Sequence, residues 1–530
     1  MRNFEAPGRS MVVARNGMAA TSHPLATLVA INTLEAGGNA MDAAIAACAV
    51  QCVVEPGSTG VGGDCFALYS QGGVDDIVAY NGAGWAPAAA SIDTLQKLGV
   101  NAIERDSAHA VTVPGAVHAW TTLHRDHGRR SLGEVLAPAI RYADQGYAVA
   151  PRTALDWSNE AQLLRRDPNA RAAMLVDGNA PLPGTTHRQP LLANTLRAIA
   201  EGGRDAFYRG DIAADIVGHL QRHGGLHTLD DFADYHGDYV TPIRSTFQGY
   251  EIVECPPSGQ GIIALMLLKI LQKFDAKGDP LDVDRIHREI EATRLAYSVR
   301  DAFLGDPQGG KPDVDWLLSD ELADRLRDQI DLDGALTDLP AFATAEHKDT
   351  VYITVVDRDR NCASFINSLF HPFGSGLMAP KSGVLMHNRG QSFSLEKGHP
   401  NAIGPHKRPM HTIIPGMVTK GGRVQMSFGV MGGHYQAMGH AHFLSKVLHY
   451  GMDMQSAIQL PRIFPRPGTH TVEFEETMPV EVRAELTRRG FTLARPNSPI
   501  GGAQAIWVDW ENGTLLGASD HRKDGCALGY

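Results

Sequence analysis

The sequence predicts a mixed α/β protein of the α+β kind, with helices layered on stacked sheets. Three observations carry that expectation. Helical periodicity fills residues 23 to 52 and most of 131 to 340, and short β-rich runs dominate from Thr350 onward. No apolar run reaches the ~18 residues a membrane helix needs. At 530 residues, 43% hydrophobic and 20% charged, the chain has material for one large or two to three ordinary domains.

Taken in order, "HPLATLVAINTLEAGGN" spaces its apolar residues as a helix and stops at Gly37-Gly38. Asn39 then caps "AMDAAIAACAVQCVV", which is apolar nearly all round and so should be buried. "EPGSTGVGGDCFALYS" reads as a glycine-dense turn needing positive φ and leading into a strand; a phosphate cradle is the sharper reading, but neither GxGxxG nor GxxxxGK[ST] is matched. "SLGEVLAPAIRYADQGY", "PLLANTLRAIAEGG" and "QGIIALMLLKILQKF" have a 3.6-residue period, interrupted by "YEIVECPPSGQG" as strand plus turn, and "FLGDPQGGKPDVDW" is a loop. Strands are expected at "TVYITVVD", "NCASFI", "GVLMHN", "TIIPGMVTK" and "RVQMSFGV", then a helix at "YQAMGHAHFLSKVLHYG", then strands at "AQAIWVDW" and "TLLGAS". No repeat of 20 to 50 residues is visible.

Composition excludes several function classes. A net charge of -11, spread along the chain, argues against nucleic acid or an anionic membrane as partner. "MRNFEAPGRSMVVARNGMAA" lacks the apolar core of a secretory leader, so a cytoplasmic protein is expected. Cys48, Cys52, Cys65, Cys255, Cys362 and Cys526 lack the paired spacing of a zinc ribbon and read as small buried hydrophobes. Of 23 histidines, His434, His440, His442 and His449 cluster, but with no HExxH beside them, and no metal or cofactor is expected. "PGSTG" and "PSGQG" both miss the GxSxG nucleophile elbow.

One chemistry-bearing position remains. In "HKDTVYITVVDRDRN" a strand begins abruptly at an Asp-Thr pair. A threonine hydroxyl is a poor nucleophile without a base, and a free α-amine on the same residue supplies one. That requires cleavage between Asp349 and Thr350; the plainer reading is a β-branched residue opening a strand.

The strings around it decide between these readings. "GGNAMDAAIAACAVQCVVEPGSTGVGGD", "TVPGAVHAW" ending at Trp120, "PPSGQG", "DTVYITVVDRDRN", "FGSGL", "NAIGPHKRPMHTIIP", "GVMGGH" and the terminal "GASDHRKDGCALGY" occur in family order. On these pieces nearly the whole chain resembles the gamma-glutamyltranspeptidase family of N-terminal nucleophile hydrolases. The resemblance implies a four-layer αββα sandwich, self-cleaved into intertwined subunits, residues 1–349 and 350–530. It implies a small-molecule amide substrate and a heterodimer of the two cleavage products, with higher homo-oligomers left open. Thr350 would be nucleophile in maturation and catalysis, Gly432 and Gly433 would serve the oxyanion, and Ser368 stands where the family has a hydroxyl bonded to the nucleophile.

The chain also departs from the family pattern. Ala83 in "YNGAGWAP" stands where glutathione-cleaving members carry an arginine. At the family's substrate-binding positions stand Phe370, Arg389, Ser392, His411 and Thr412, so a cation replaces an acid that would hold an ammonium. Arg389 suits a carboxylate, which points to a carboxylate-bearing acyl group: γ-glutamyl or glutathione-like, or an oxamate-like or dicarboxylic monoamide. The plainer reading pairs Arg389 with a nearby Asp or Glu. Only "EKGHP" separates "QSFSL" from "NAIGP", too short for a lid, so the site should be open. The competing function is an unprocessed, catalytically silent binding protein of the same fold.

Overall fold

The computed structural model describes residues 8–310, 312–337, 339 and 350–530. Asp349, on the expected cleavage bond, lies outside them.

Two seven-stranded antiparallel sheets form the centre. The first runs Cys526–Gly529, Met18–Thr21, Val351–Val356, Cys362–Ser368, Asp64–Ser70, Ile77–Gly82, Asp238–Val240. The second runs Val12–Ala14, Thr514–Ser519, Gly502–Asp509, Arg423–Met431, Gly416–Lys420, Tyr250–Glu254, Ile243–Phe247. Their order interleaves the chain: Val351–Val356 pairs with Met18–Thr21 on one side and with Cys362–Ser368 on the other, which in turn pairs with Asp64–Ser70.

Side-chain alternation along Val351–Val356 explains the layering. Val351, Ile353 and Val355 face a core shared with helices Ala40–Val54, Ala116–His127 and Leu132–Gln145. Tyr352 and Val356 face the opposite way, into a core with Met417, Val424, Met431 and Ile506 of the second sheet. Both faces are therefore covered, and all six residues are buried. That is why "VYITVV" reads as a continuous apolar run rather than an alternating one. On the far side, helices Gly261–Leu271, Val283–Phe303 and Tyr435–Leu444 pack on Val418, Met426, Phe428 and Ala505. The result is helix, sheet, sheet, helix, the four-layer αββα sandwich of the N-terminal nucleophile hydrolases.

Most local expectations hold for identifiable reasons. Asn39 caps Ala40–Val54 by accepting from Met41 and Asp42 N–H groups, and the Asp42 carboxylate accepts in return from the Asn39 N–H, closing a capping box. All fifteen residues of that helix are buried. Two expectations need correction. "GVLMHN" forms no strand: Leu385 and Met386 make only isolated bridges, to Met378 and Gly62. The glycine turn before Asp64 is not built on positive φ at Gly62 or Gly63; what requires glycine is contact, since a Cβ there would lie 2.3 Å from the Leu385 carbonyl oxygen or 2.4 Å from that of Ser368. The turn is thus pressed against the end of the Cys362–Ser368 strand.

Candidate active site

Sheet register assembles the site. Val351 is opposite Asn367, and Ser368 is opposite Asp64, so one step beyond the first pair Thr350 faces Ser368. Thr350, Ser368 and Asp64 consequently form a row across three strands at one end of the sheet. All three are buried.

Hydrogen bonding orients the row. Ser368 Oγ lies 3.1 Å from Thr350 Oγ1, and it accepts from the Phe370 N–H at 2.9 Å and from Arg389 Nη2 at 3.4 Å. A hydroxyl has one proton and two lone pairs. With both lone pairs engaged, the Ser368 proton points to Thr350 Oγ1. Gln436, in the first turn of Tyr435–Leu444, brings Nε2 to within 3.5 Å of the same oxygen, and its Oε1 is fixed by the Ile414 N–H at 3.0 Å. Thr350 Oγ1 thus faces two donors, an arrangement that favours negative charge developing on that oxygen.

Arg389 is the buried cation of the site. Its guanidinium lies over the Phe370 ring, 4.1 Å from the centroid, and Nη1 donates to Thr412 Oγ1 at 2.7 Å. Among the described residues no carboxylate is within ion-pair distance, and buried Nε has no hydrogen-bond partner. Burial pushes Arg389 down to about 9, opposed by the charge of Asp64, so it remains a cation at neutral pH. The plainer reading, in which Arg389 pairs directly with a neighbouring acid, is not what the described residues form.

Asp64 balances this charge from a distance. Its Oδ1 accepts from the Gly84 and Gly115 N–H groups at 2.9 and 3.1 Å, and its Oδ2 from His411 Nε2 at 3.0 Å. Burial alone would raise its pKa, but His387, His411 and Arg389 more than offset this and hold the carboxyl below its usual value. His411 Nδ1 accepts from the Ile413 N–H at 3.4 Å, which fixes the neutral tautomer with its proton on Nε2. Burial, then the Arg389 charge, pushes His411 from 6.5 to about 3. Between those values the unfolded imidazole holds a proton that the folded one lacks, so stability rises with pH across the window and is complete above about 6.5. His411 alone is expected to contribute a loss of about 1.4 kcal/mol per pH unit as pH falls from 6.5 toward 3. Thermal unfolding of wild type and His411→Gln against pH checks it: the variant should have the shallower slope.

The other expected residues fall into two groups. Gly432 and Gly433 join the Arg423–Met431 strand to Tyr435–Leu444 with φ of 126° and 56°, values suited to glycine. The Gly433 carbonyl accepts from Gln260 Nε2 at 3.0 Å, and the same amide donates to the Thr412 carbonyl at 2.9 Å. The tandem glycines and the His411-Thr412 segment are thereby locked together. A cavity of about 510 Å³, lined in part by Arg105, Arg152, His371, Glu473 and Gly501, adjoins this point, since Gly501 Cα would lie 3.0 Å from a Cβ on Gly432. Ser392 is not drawn in: its hydroxyl bonds to the carbonyls of Arg389 and Met410 and braces the turn that carries the guanidinium. Ala83 sits one step past the Cys65–Gly82 pair, beside Asp64, with its methyl in the inter-sheet core. The short "EKGHP" segment is closed at its base by Ser394 N–H to the Asn401 carbonyl at 2.9 Å.

The clustered histidines separate. His440 bonds Glu254 at 2.7 Å, His442 bonds Glu289 at 2.9 Å, and His434 Nδ1 meets Arg300 at 3.0 Å.

Matching against family models assigns residues 26–530 to gamma-glutamyltranspeptidase. The chain belongs to the gamma-glutamyltranspeptidase family. Relatives agree along the whole length. A glutathione hydrolase-like proenzyme (YwrD) of Bacillus subtilis is 36% identical over 532 residues, covering 98% of this chain and 99% of the relative. The oxamate amidohydrolase proenzyme of Klebsiella pneumoniae is 35% identical over 533 residues, with the same coverage. The crystal structure of a cephalosporin acylase from Bacillus halodurans superposes with a TM-score of 0.93 at 37% identity, covering 100% of this chain and 99% of that one. Membership of the gamma-glutamyltranspeptidase family makes the chain an enzyme, a self-processing N-terminal nucleophile amidohydrolase or acyltransferase. Among the described residues no helix is long and apolar enough to cross a membrane.

Reading the sequence alone missed the residues that support this family's centre here: Asp64, His387, Gln260 and Gln436. A signal was available for Asp64, an acid opening a run as apolar as "DCFALYS", because a buried carboxylate requires donors nearby.

Proposed function

We propose that Thr350, freed by cleavage of the Asp349-Thr350 bond, attacks the carbonyl of a compact amide whose acyl part carries a carboxylate. The observation carrying this is that Ser368 Oγ is shared: it lies 3.1 Å from the nucleophile hydroxyl and 3.4 Å from an Arg389 nitrogen. The cation is one hydroxyl away from the reacting oxygen. A carboxylate held there belongs to a short acyl chain, as in an oxamate-like or dicarboxylic monoamide.

In this mechanism the Thr350 α-amine takes the hydroxyl proton while Ser368 and Gln436 donate to the oxygen. The tetrahedral oxyanion is met by backbone N–H groups of Gly432 and Gly433. Collapse expels the amine, protonated by the same α-ammonium, and leaves an acyl ester on Thr350. The cavity beside Gly501 gives the amine a way out and water or an acceptor amine a way in. Phe370 supports Arg389 through its ring face, Thr412 fixes one arm of the fork, His411 ties the segment to Asp64, and Ser392 holds the turn.

The subunits are then residues 1–349 and 350–530. Denaturing mass spectrometry of the purified protein tests the first step, with two chains of those bounds expected; an intact chain after prolonged incubation removes the base and with it the mechanism. Oxamate, succinamate and glutathione assayed in parallel test the acyl group, with the first two turned over faster. Glutathione as the preferred substrate would favour the γ-glutamyl reading suggested by the hydrolase relatives.

A further inference from the structure

A second polar cluster lies apart from the Thr350 network, where helix Asp211–Arg222 ends beside helix Pro168–Met174. His219 and His223 are four residues apart, one helical turn, and present their rings on one side, with centroids 4.7 Å apart. Asp167 faces both: its Oδ2 is 3.0 Å from His219 Nε2 and 4.0 Å from His223 Nε2. The three donor atoms all lie within 4.8 Å of one another.

We propose that Asp167, His219 and His223 form a binding site for a zinc-class divalent cation. Asp167 and His219 have side chains only 2% and 4% exposed, and Asp167 Oδ2 and His219 Nε2 approach to 3.0 Å as an ion pair without aligning as a hydrogen bond. One cation between them would satisfy both atoms better than a misaligned proton. Asp167 divides its labour: Oδ1 caps the Pro168–Met174 helix through the Asn169 and Ala170 N–H groups, leaving Oδ2 to the histidines. Tetrahedral zinc with bonds of about 2.0–2.1 Å sets its donor atoms roughly 3.3 Å apart, a value the two measured separations bracket. Two imidazoles and one carboxylate are a zinc-type donor set. His223 is 41% exposed, so the remaining coordination position opens to solvent.

Chelator-treated full-length protein titrated with zinc chloride by calorimetry, and with cobalt chloride by visible absorption, tests the site. One ion per chain is expected, with a micromolar or tighter Kd and four-coordinate cobalt bands, weakening as pH falls below about 6. His223→Ala removes a ligand at a partly exposed position, and Asp167→Asn removes the charge while an asparagine still caps the helix. Each should weaken binding by more than the roughly 10- to 100-fold that loss of an outer-shell partner costs. Absence of stoichiometric zinc uptake by the wild type, or equal uptake by His223→Ala, overturns the site.

Discussion

A Thr350→Ala chain should remain in one piece and hydrolyse no amide, because one substitution removes the attacking oxygen of both reactions. For turnover the expected loss is on the order of 10⁴- to 10⁶-fold, the scale seen when a nucleophile is deleted. Thr350→Ser should keep both reactions, since a primary hydroxyl in the same place still meets Ser368. Ser368→Ala separates the donor from the nucleophile: it should still cleave itself, with kcat lower by roughly a hundredfold, the effect of losing one donor at a reacting oxygen. Mass spectrometry reads the cleavage and amide hydrolysis reads the turnover. A Thr350→Ala protein that splits at the same bond would show that another group attacks it.

The second large effect is expected at Arg389. Replacing it with Met keeps volume and the contact with Phe370 but removes the cation that the proposed reaction sets against the acyl carboxylate. Truncating one partner of a buried, hydrogen-bonded charge pair costs about 2–5 kcal/mol. Here that is a fall in kcat/KM of roughly 30-fold to several-thousand-fold for carboxylate-bearing amides. Neutral amides of the same shape should lose far less, and self-cleavage should persist. Arg389→Lys should recover part of the activity, because the charge returns without the two-pronged geometry. Unchanged turnover of every carboxylate-bearing amide in Arg389→Met would remove Arg389 from substrate recognition.

Much of this architecture was legible before any coordinates. The helices at 24–35 and 40–54 follow from periodicity, the Gly37-Gly38 stop and the Asn39 cap, all local signals. The strand after Thr350 was legible from β-branched residues in an unbroken run. "GVLMHN" misled because β propensity measures fit to a half-buried sheet surface, and Leu385 and Met386 lie beside the glycine turn rather than in a ladder. In the site, Thr350 and Ser368 could be anticipated from the matching strings. The burial of the Asp64 carboxylate could be read from its apolar run, but its partner and the role of Gln436 could not, because those arise across 347 and 86 residues of sequence. The sequence also did not show that the Ser392 hydroxyl bonds to the carbonyls of Arg389 and Met410, the second of them 18 residues away.

The interleaving of the first sheet has a further effect on how the protein can be lost and regained. Strand Val351–Val356 is hydrogen-bonded to Met18–Thr21, and its neighbour Cys362–Ser368 to Asp64–Ser70. A break just before Thr350 leaves those ladders untouched, so the two pieces stay together without any covalent link. Once denatured they must find each other by diffusion, and recovery becomes second order in protein concentration. A protein that first folds as one chain and is then cut therefore has an easy outward journey and a difficult return. Its working lifetime is governed by the rate of first opening rather than by an equilibrium.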